Sequence, residues 1–164
     1  MKKRLLIVII ILGLVSLGIA ISGCVSDSSD NPSSYASPVS KSPVYKTINQ
    51  NIVNGFIPVK SGEYVYYQLS IPSQASVSGD FTAFGGSGND IDIFILDETA
   101  YTNWINKHSV STYYNSGQMT TGSITTSLPA GKYYLIYSNT FSTFSDKNVK
   151  TNLDVSYTIC VENC

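Results

Sequence analysis

Hydrophobic and polar positions alternate with a period of two over several stretches of the chain. From Val149 onward, Val149, Thr151, Leu153, Val155, Tyr157 and Ile159 fall on one face, and Lys150, Asn152, Asp154, Ser156 and Thr158 fall on the other. That is the pattern of a half-buried strand with water on one side, as in antiparallel sheets. Lys132 to Thr140 gives a second such run, with Tyr133, Leu135 and Tyr137 sharing a face. Earlier, Ile52 to Val59 reads as an opening strand, where Gly55 and Pro58 suggest an edge position or a bulge. Glu63 to Ile71 alternates with Val65, Tyr67, Leu69 and Ile71 inward, and Val77 to Phe84 follows after a Pro72-Ser73 break. Asp90 to Leu96 is the most apolar run and reads as a central strand covered on both faces at its far end. Thr99 to His108 loses the period and can hold a helical turn around Trp104; Thr121 to Leu128 alternates again. Seven or eight strands at this spacing predict an all-β fold, an antiparallel β-sandwich, over residues 44–164.

Turn chemistry separates these runs. Leu128-Pro129-Ala130-Gly131 combines a fixed φ with a residue free to take φ > 0. Gly85-Gly86-Ser87-Gly88 lacks the spacing, the Lys-Ser/Thr ending and the following helix of a phosphate loop, so it reads as a strand connection. Pro129-x-Gly131-x-Tyr133-x-Leu135, followed by Asn139-Thr140-Phe141-Ser142, Lys147 and Val149, resembles the end of a GOLD domain, a β-sandwich of secretory-pathway cargo receptors and lipid-transfer proteins. Asn89-Asp90-Ile91-Asp92-Ile93-Phe94 resembles the pre-peptidase C-terminal domains of secreted microbial proteases, another β-sandwich. These resemblances imply a binding or interaction module without catalytic residues.

The N-terminus changes the picture of where the domain works. Met1-Lys2-Lys3-Arg4 is basic, Leu5 to Ile21 is apolar apart from Gly13, Ser16 and Gly18, and Ile21-Ser22-Gly23-Cys24 resembles a prokaryotic lipobox. Small side chains at Ser22 and Gly23 suit a signal peptidase cutting between Gly23 and Cys24, and the Cys24 thiol would take the lipid. The competing reading is a retained membrane anchor. Either one puts residues 44–164 on the extracytoplasmic face of the cell membrane. Residues 24–43 are rich in serine and proline and are expected to form a disordered stalk, with an end-to-end distance of about 25 Å.

After Cys24 the chain carries seven lysines, no arginine and eleven acids, a net charge of −4. With no basic cluster, nucleic acid is not an expected partner. Cys160 and Cys164 remain as a pair in an oxidising compartment. On one extended strand their Cα atoms would lie about 13 Å apart, so a disulfide requires a turn after Cys160; half a zinc site is the weaker alternative.

Candidate chemistry is sparse. Asn89, Asp90, Asp92 and Asp97 offer oxygen ligands of the kind Ca²⁺ takes, with Asp90 and Asp92 as its core; otherwise they cap a strand end. No cofactor is expected. His108 is the single imidazole, and a hydrolase would need it joined to a serine and a carboxylate. Tyr64, Tyr66, Tyr113 and Tyr114 are not placed in the core by alternation and could form a sugar-binding face. Asn139, Phe141, Ser142 and Lys147 mark the connection between the last two strands. Asn139 and Ser142 are expected to hold its shape while Phe141 and Phe144 plug the end of the sandwich. The alternative is that this connection is a recognition loop. The leading expectation is a lipid-anchored, non-catalytic module binding a protein or an envelope polysaccharide.

Overall fold

The computed structural model describes residues 41–86 and 88–164. The expected signal peptide, Cys24 and the expected stalk up to residue 40 fall outside the described residues. Among those described, no helix is long and apolar enough to cross a membrane.

Eight strands and one helix follow in the order β1 (Val44–Val59), β2 (Tyr64–Ile71), β3 (Ala75–Phe84), β4 (Ile91–Asp97), α1 (Glu98–Ile105), β5 (Tyr114–Met119), β6 (Thr121–Leu128), β7 (Gly131–Ser138) and β8 (Lys147–Glu162). They form two four-stranded sheets, ordered β1-β8-β3-β6 and β2-β7-β4-β5, and every pairing is antiparallel. The alternating residues of both sheets meet between them. Val149, Leu153 and Val155 of β8 face Val65, Tyr67 and Leu69 of β2, Leu135 and Tyr137 of β7 and Ile91, Ile93 and Ile95 of β4 in one apolar core. A polar crossing of this core is satisfied. The Tyr137 and Thr151 hydroxyls lie 3.1 Å apart, and Thr151 Oγ1 donates to the Asp80 carbonyl at 2.9 Å. Burial holds the Tyr137 phenol well above its ordinary range.

The second sheet is covered on both faces. Asp97 caps α1, its Oδ1 accepting from the Ala100 amide at 2.7 Å, and the helix lies across the outer side of β2, β7 and β4. Ala100 and Tyr101 of the helix are buried there against Tyr64, Leu96 and Ile136 of the sheet, with Tyr101 stacked on Tyr134 at 4.0 Å between ring centroids. This corrects the expectation of an exposed tyrosine face. Tyr64 is 1% exposed, and Tyr66 and Tyr114 are half-buried against the two cores, leaving Tyr113 as the one exposed member of the four. Period-two alternation finds which side of a strand faces the neighbouring sheet; it does not say that a helix covers the other side.

β5 was not expected from sequence. Tyr114-Asn115-Ser116-Gly117-Gln118-Met119 has neither alternation nor β-branched residues, and it pairs with β4 through an irregular register between Asp92 and Phe94. β1 also begins earlier than the apolar pattern suggests. Its first residues pair with β8 from Val44↔Glu162 onward, beyond the point where β3 accompanies β8, and a register shift falls between Asn51 and Val53. At the far end of β8 the chain turns back through Asn163 (φ 54°), and a disulfide joins Cys160 to Cys164 with Cα atoms 5.8 Å apart. The Pro129–Gly131 turn is braced by Tyr133, whose hydroxyl donates to the Pro129 carbonyl at 3.0 Å. Burial, then its contact with Tyr113, pushes the Tyr133 phenol up to about 12.

Candidate functional site

Val44 and Glu162 mark the end of the sandwich where the stalk would join. At the opposite end, about 50 Å along β1, four connections lie: β1–β2, β3–β4, β5–β6 and β7–β8. Asn139 joins the β7–β8 loop to the β1–β2 turn. Its backbone donates to the Glu63 carbonyl at 2.9 Å and accepts from the Gly62 amide at 3.1 Å, while its fully buried side chain donates to the carbonyls of Ser145 (2.8 Å) and Val59 (3.4 Å). Ser142 Oγ donates to the Ser145 carbonyl at 3.0 Å and accepts from the Ser145 amide at 3.2 Å. Ser61 ties the β1–β2 turn to the same loop, its amide donating to Asp146 Oδ1 at 2.9 Å and its hydroxyl to the Ser142 carbonyl at 3.0 Å. Side-chain bonds of this kind replace the ladder that the loop backbone lacks.

Lys147 follows with its side chain 2% exposed, and its Nζ donates to Asp90 Oδ1 at 2.9 Å. The β3–β4 connection lies over it with Gly85 and Gly86 at positive φ. A Cβ on Gly86 would come 2.5 Å from the Ser145 Cβ.

Against this braced frame, the phenylalanines do not plug the sandwich. Phe144 is 94% exposed at the loop and Phe141 is 37% exposed, which overturns the expectation that they close the end of the core. Asn139, Lys147 and Val149 already fill that space from below. Phe56 and Phe84 lie on the outer face near the same end, 61% and 45% exposed, with ring centroids 6.4 Å apart. Four of the six phenylalanines of the chain are therefore displayed, all toward one end. Asp90, Phe141, Ser142, Phe144 and Lys147 line a shallow hollow of about 240 Å³ here.

A second, wider cleft of about 390 Å³ opens between the end of α1 and the same loop, lined by Trp104, Lys107, His108 and Thr140. Trp104 is half-buried, set edge-on against Tyr64 at 4.9 Å and tilted against Phe94 at 5.8 Å, so its indole has a fixed orientation. The helix ends in a Schellman arrangement. The His108 amide donates to the Asn103 carbonyl and the Lys107 amide to the Trp104 carbonyl, both at 3.0 Å, with Lys107 at φ 63°. Thr140 Oγ1 lies 2.9 Å from Ser138 Oγ at the other wall.

The four expected oxygen ligands do separate work. Asn89 Oδ1 accepts from the Gly85 amide at 2.9 Å, Asp90 holds Lys147, and Asp97 caps α1. Asp92 Oδ1 is buried without a partner, and that burial raises its pKa above the ordinary carboxylate range. Among the described residues no three His, Cys, Asp or Glu side chains lie close enough together to hold a metal ion. His108 is exposed and shares its cleft with Trp104, Lys107 and Thr140, rather than with the serine and carboxylate that a hydrolase would need. Sequence reasoning missed Lys107 and Thr140 because nothing local links them; only the β7–β8 loop folding back beside α1 makes them neighbours.

No protein-family model and no curated protein matches the chain. Solved structures similar to it include a periplasmic lysozyme inhibitor of g-type lysozyme, PliG of Aeromonas hydrophila, at 12% identity and a TM-score of 0.33, covering 68% of this chain and 84% of that one. The pre-peptidase C-terminal domain of a Bacillus anthracis collagenase is also similar, at 9% identity and a TM-score of 0.27, covering 71% and 90%. Likeness of this degree assigns no activity, ligand or site.

Proposed function

We propose that the chain is a non-catalytic binding module, held by a lipid on Cys24 at the extracytoplasmic face of the cell membrane, that captures a protein or envelope partner with the end of the sandwich farthest from its stalk. The observation that carries this reading is Phe144, 94% exposed on a loop whose backbone is fixed from within by Asn139 and Ser142. A nearly naked aromatic ring is unfavourable in water, and a rigid loop presents it at little further entropic cost on binding. Aromatic anchors on pre-organised frames carry much of the energy of recognition surfaces. The lipobox pattern at Ile21-Ser22-Gly23-Cys24 and the stalk that follows support display away from the headgroups.

Two experiments test the reading. Cells making the parent should incorporate labelled fatty acid into the protein, and cells making Cys24→Ala should not; label on the variant rejects the anchor. A Phe141→Ser/Phe144→Ser protein should be anchored and folded like the parent yet drop out of the higher-mass complexes seen on native gels of solubilised membranes. Complexes unchanged by the double substitution reject the recognition end.

A further inference from the structure

We propose that the cleft between α1 and the β7–β8 loop is a binding site for an acidic sugar unit, with the ring stacked on Trp104 and its carboxylate held by Lys107. The proposal rests on the reading of this end of the sandwich as the recognition surface and adds a ligand class to it.

The cleft has the volume for a single sugar ring, about 390 Å³, and its four lining residues divide the work that such a ring requires. The apolar face of a pyranose packs on an aromatic plane. Trp104 supplies one that is half-buried and locked between Tyr64 and Phe94, so stacking costs no side-chain freedom. Ring hydroxyls need groups that both donate and accept. Thr140 and His108 stand on the walls with that capacity.

The sign of the ligand follows from Lys107. Its backbone is left-handed, φ 63°, at the position after a helix that glycine fills without strain. Among the described residues Lys107 makes no ion pair; the one such pair is Lys147 with Asp90. An ammonium kept at a strained position, beside a fixed indole and with no carboxylate of its own, is suited to a carboxylate brought by the ligand. The tyrosine face expected from the sequence is not used: Tyr64 and Tyr66 lie under α1, Tyr114 packs against the inter-sheet core, and the cleft uses the tryptophan near the end of that helix.

Trp104 is the only tryptophan of the chain, so its emission reports on the cleft directly. The full chain in detergent is titrated with oligogalacturonate and oligoglucuronate, with the methyl ester of the same galacturonate and with hexaglutamate, following Trp104 emission and heat together. A saturable change is expected with at least one acidic sugar, weakened about tenfold for the ester and about tenfold in Lys107→Gly, the loss of one charge-assisted bond. Lys107→Gly also relieves the backbone, so it should melt at or above the parent temperature and cannot lose binding by failing to fold. Silence with both acidic sugars in emission and heat overturns the proposal. Equal binding of the ester overturns the role of the charge, and equal binding of hexaglutamate overturns the sugar in favour of acidic chains in general. Loss of native complexes in Phe141→Ser/Phe144→Ser, together with silence in this titration, would reject the cleft and leave the recognition end standing.

Discussion

Lys147 Nζ lies 2.9 Å from Asp90 Oδ1, and the lysine side chain that reaches it is 2% exposed. β8 thus starts with a buried cation neutralised by the residue just before β4, and the pair ties the start of β8 in one sheet to the start of β4 in the other. Attraction and desolvation nearly cancel for such pairs, whereas removing one partner strands the other. Asp90→Ala should therefore cost about 3 kcal/mol, at the low end of the buried range because the carboxylate is partly exposed. Lys147→Met/Asp90→Leu should recover most of that loss. Urea unfolding of the three proteins checks it.

The β7–β8 loop divides by residue between shape and display. Asn139→Ala removes the donors to one buried and one part-buried carbonyl and should cost about 1–3 kcal/mol; Ser142→Ala, partly exposed, should cost about 0.5–1.5 kcal/mol. Phe144→Ala should change stability by less than about 0.5 kcal/mol, as an exposed side chain does. Thermal melts of the three variants read this directly, and a large loss for Phe144→Ala would put that ring back in the core.

Burial raises the pKa of Asp92. The native chain therefore binds more protons than the unfolded chain between the ordinary aspartate value, about 3.9, and the raised one. Stability falls as pH rises through that window. The penalty is absent below it and complete above it. Asp92→Asn should be more stable than the parent at neutral pH and equal to it below about pH 3.9. Urea midpoints at the two extremes measure the difference.

The architecture was legible where one face of a strand is dry and the other wet. β3, β6 and β8 carry that alternation, β2 and β7 show by it only the face turned to the other sheet, and β4 shows its double burial as an apolar run. β5 was not legible because its pairing with β4 is short and irregular and its residues carry little apolar signal. Tyr64 and Tyr66 were misplaced because the helix, legible in the lost period from Thr99 to His108 and in the Asp97 cap, covers the face that alternation leaves open. The loop residues Asn139 and Ser142 were legible, since amide and hydroxyl side chains at a strand end need backbone partners. The phenylalanines beside them were not, because aromatic content alone points to a core. Two rings three residues apart among serines and threonines, with no alternation, were the available signal.

On the proposed reading the phenylalanine-bearing end, and not the outer face of the first sheet, meets the partner. Photocrosslinking in intact cells compares the two surfaces within one fold. p-Benzoylphenylalanine is placed at position 144 or at Thr125, which is exposed on β6 on that outer face. Illumination should give a discrete adduct from position 144 and none from position 125. An adduct from position 125 alone, or no adduct from position 144, would contradict the account.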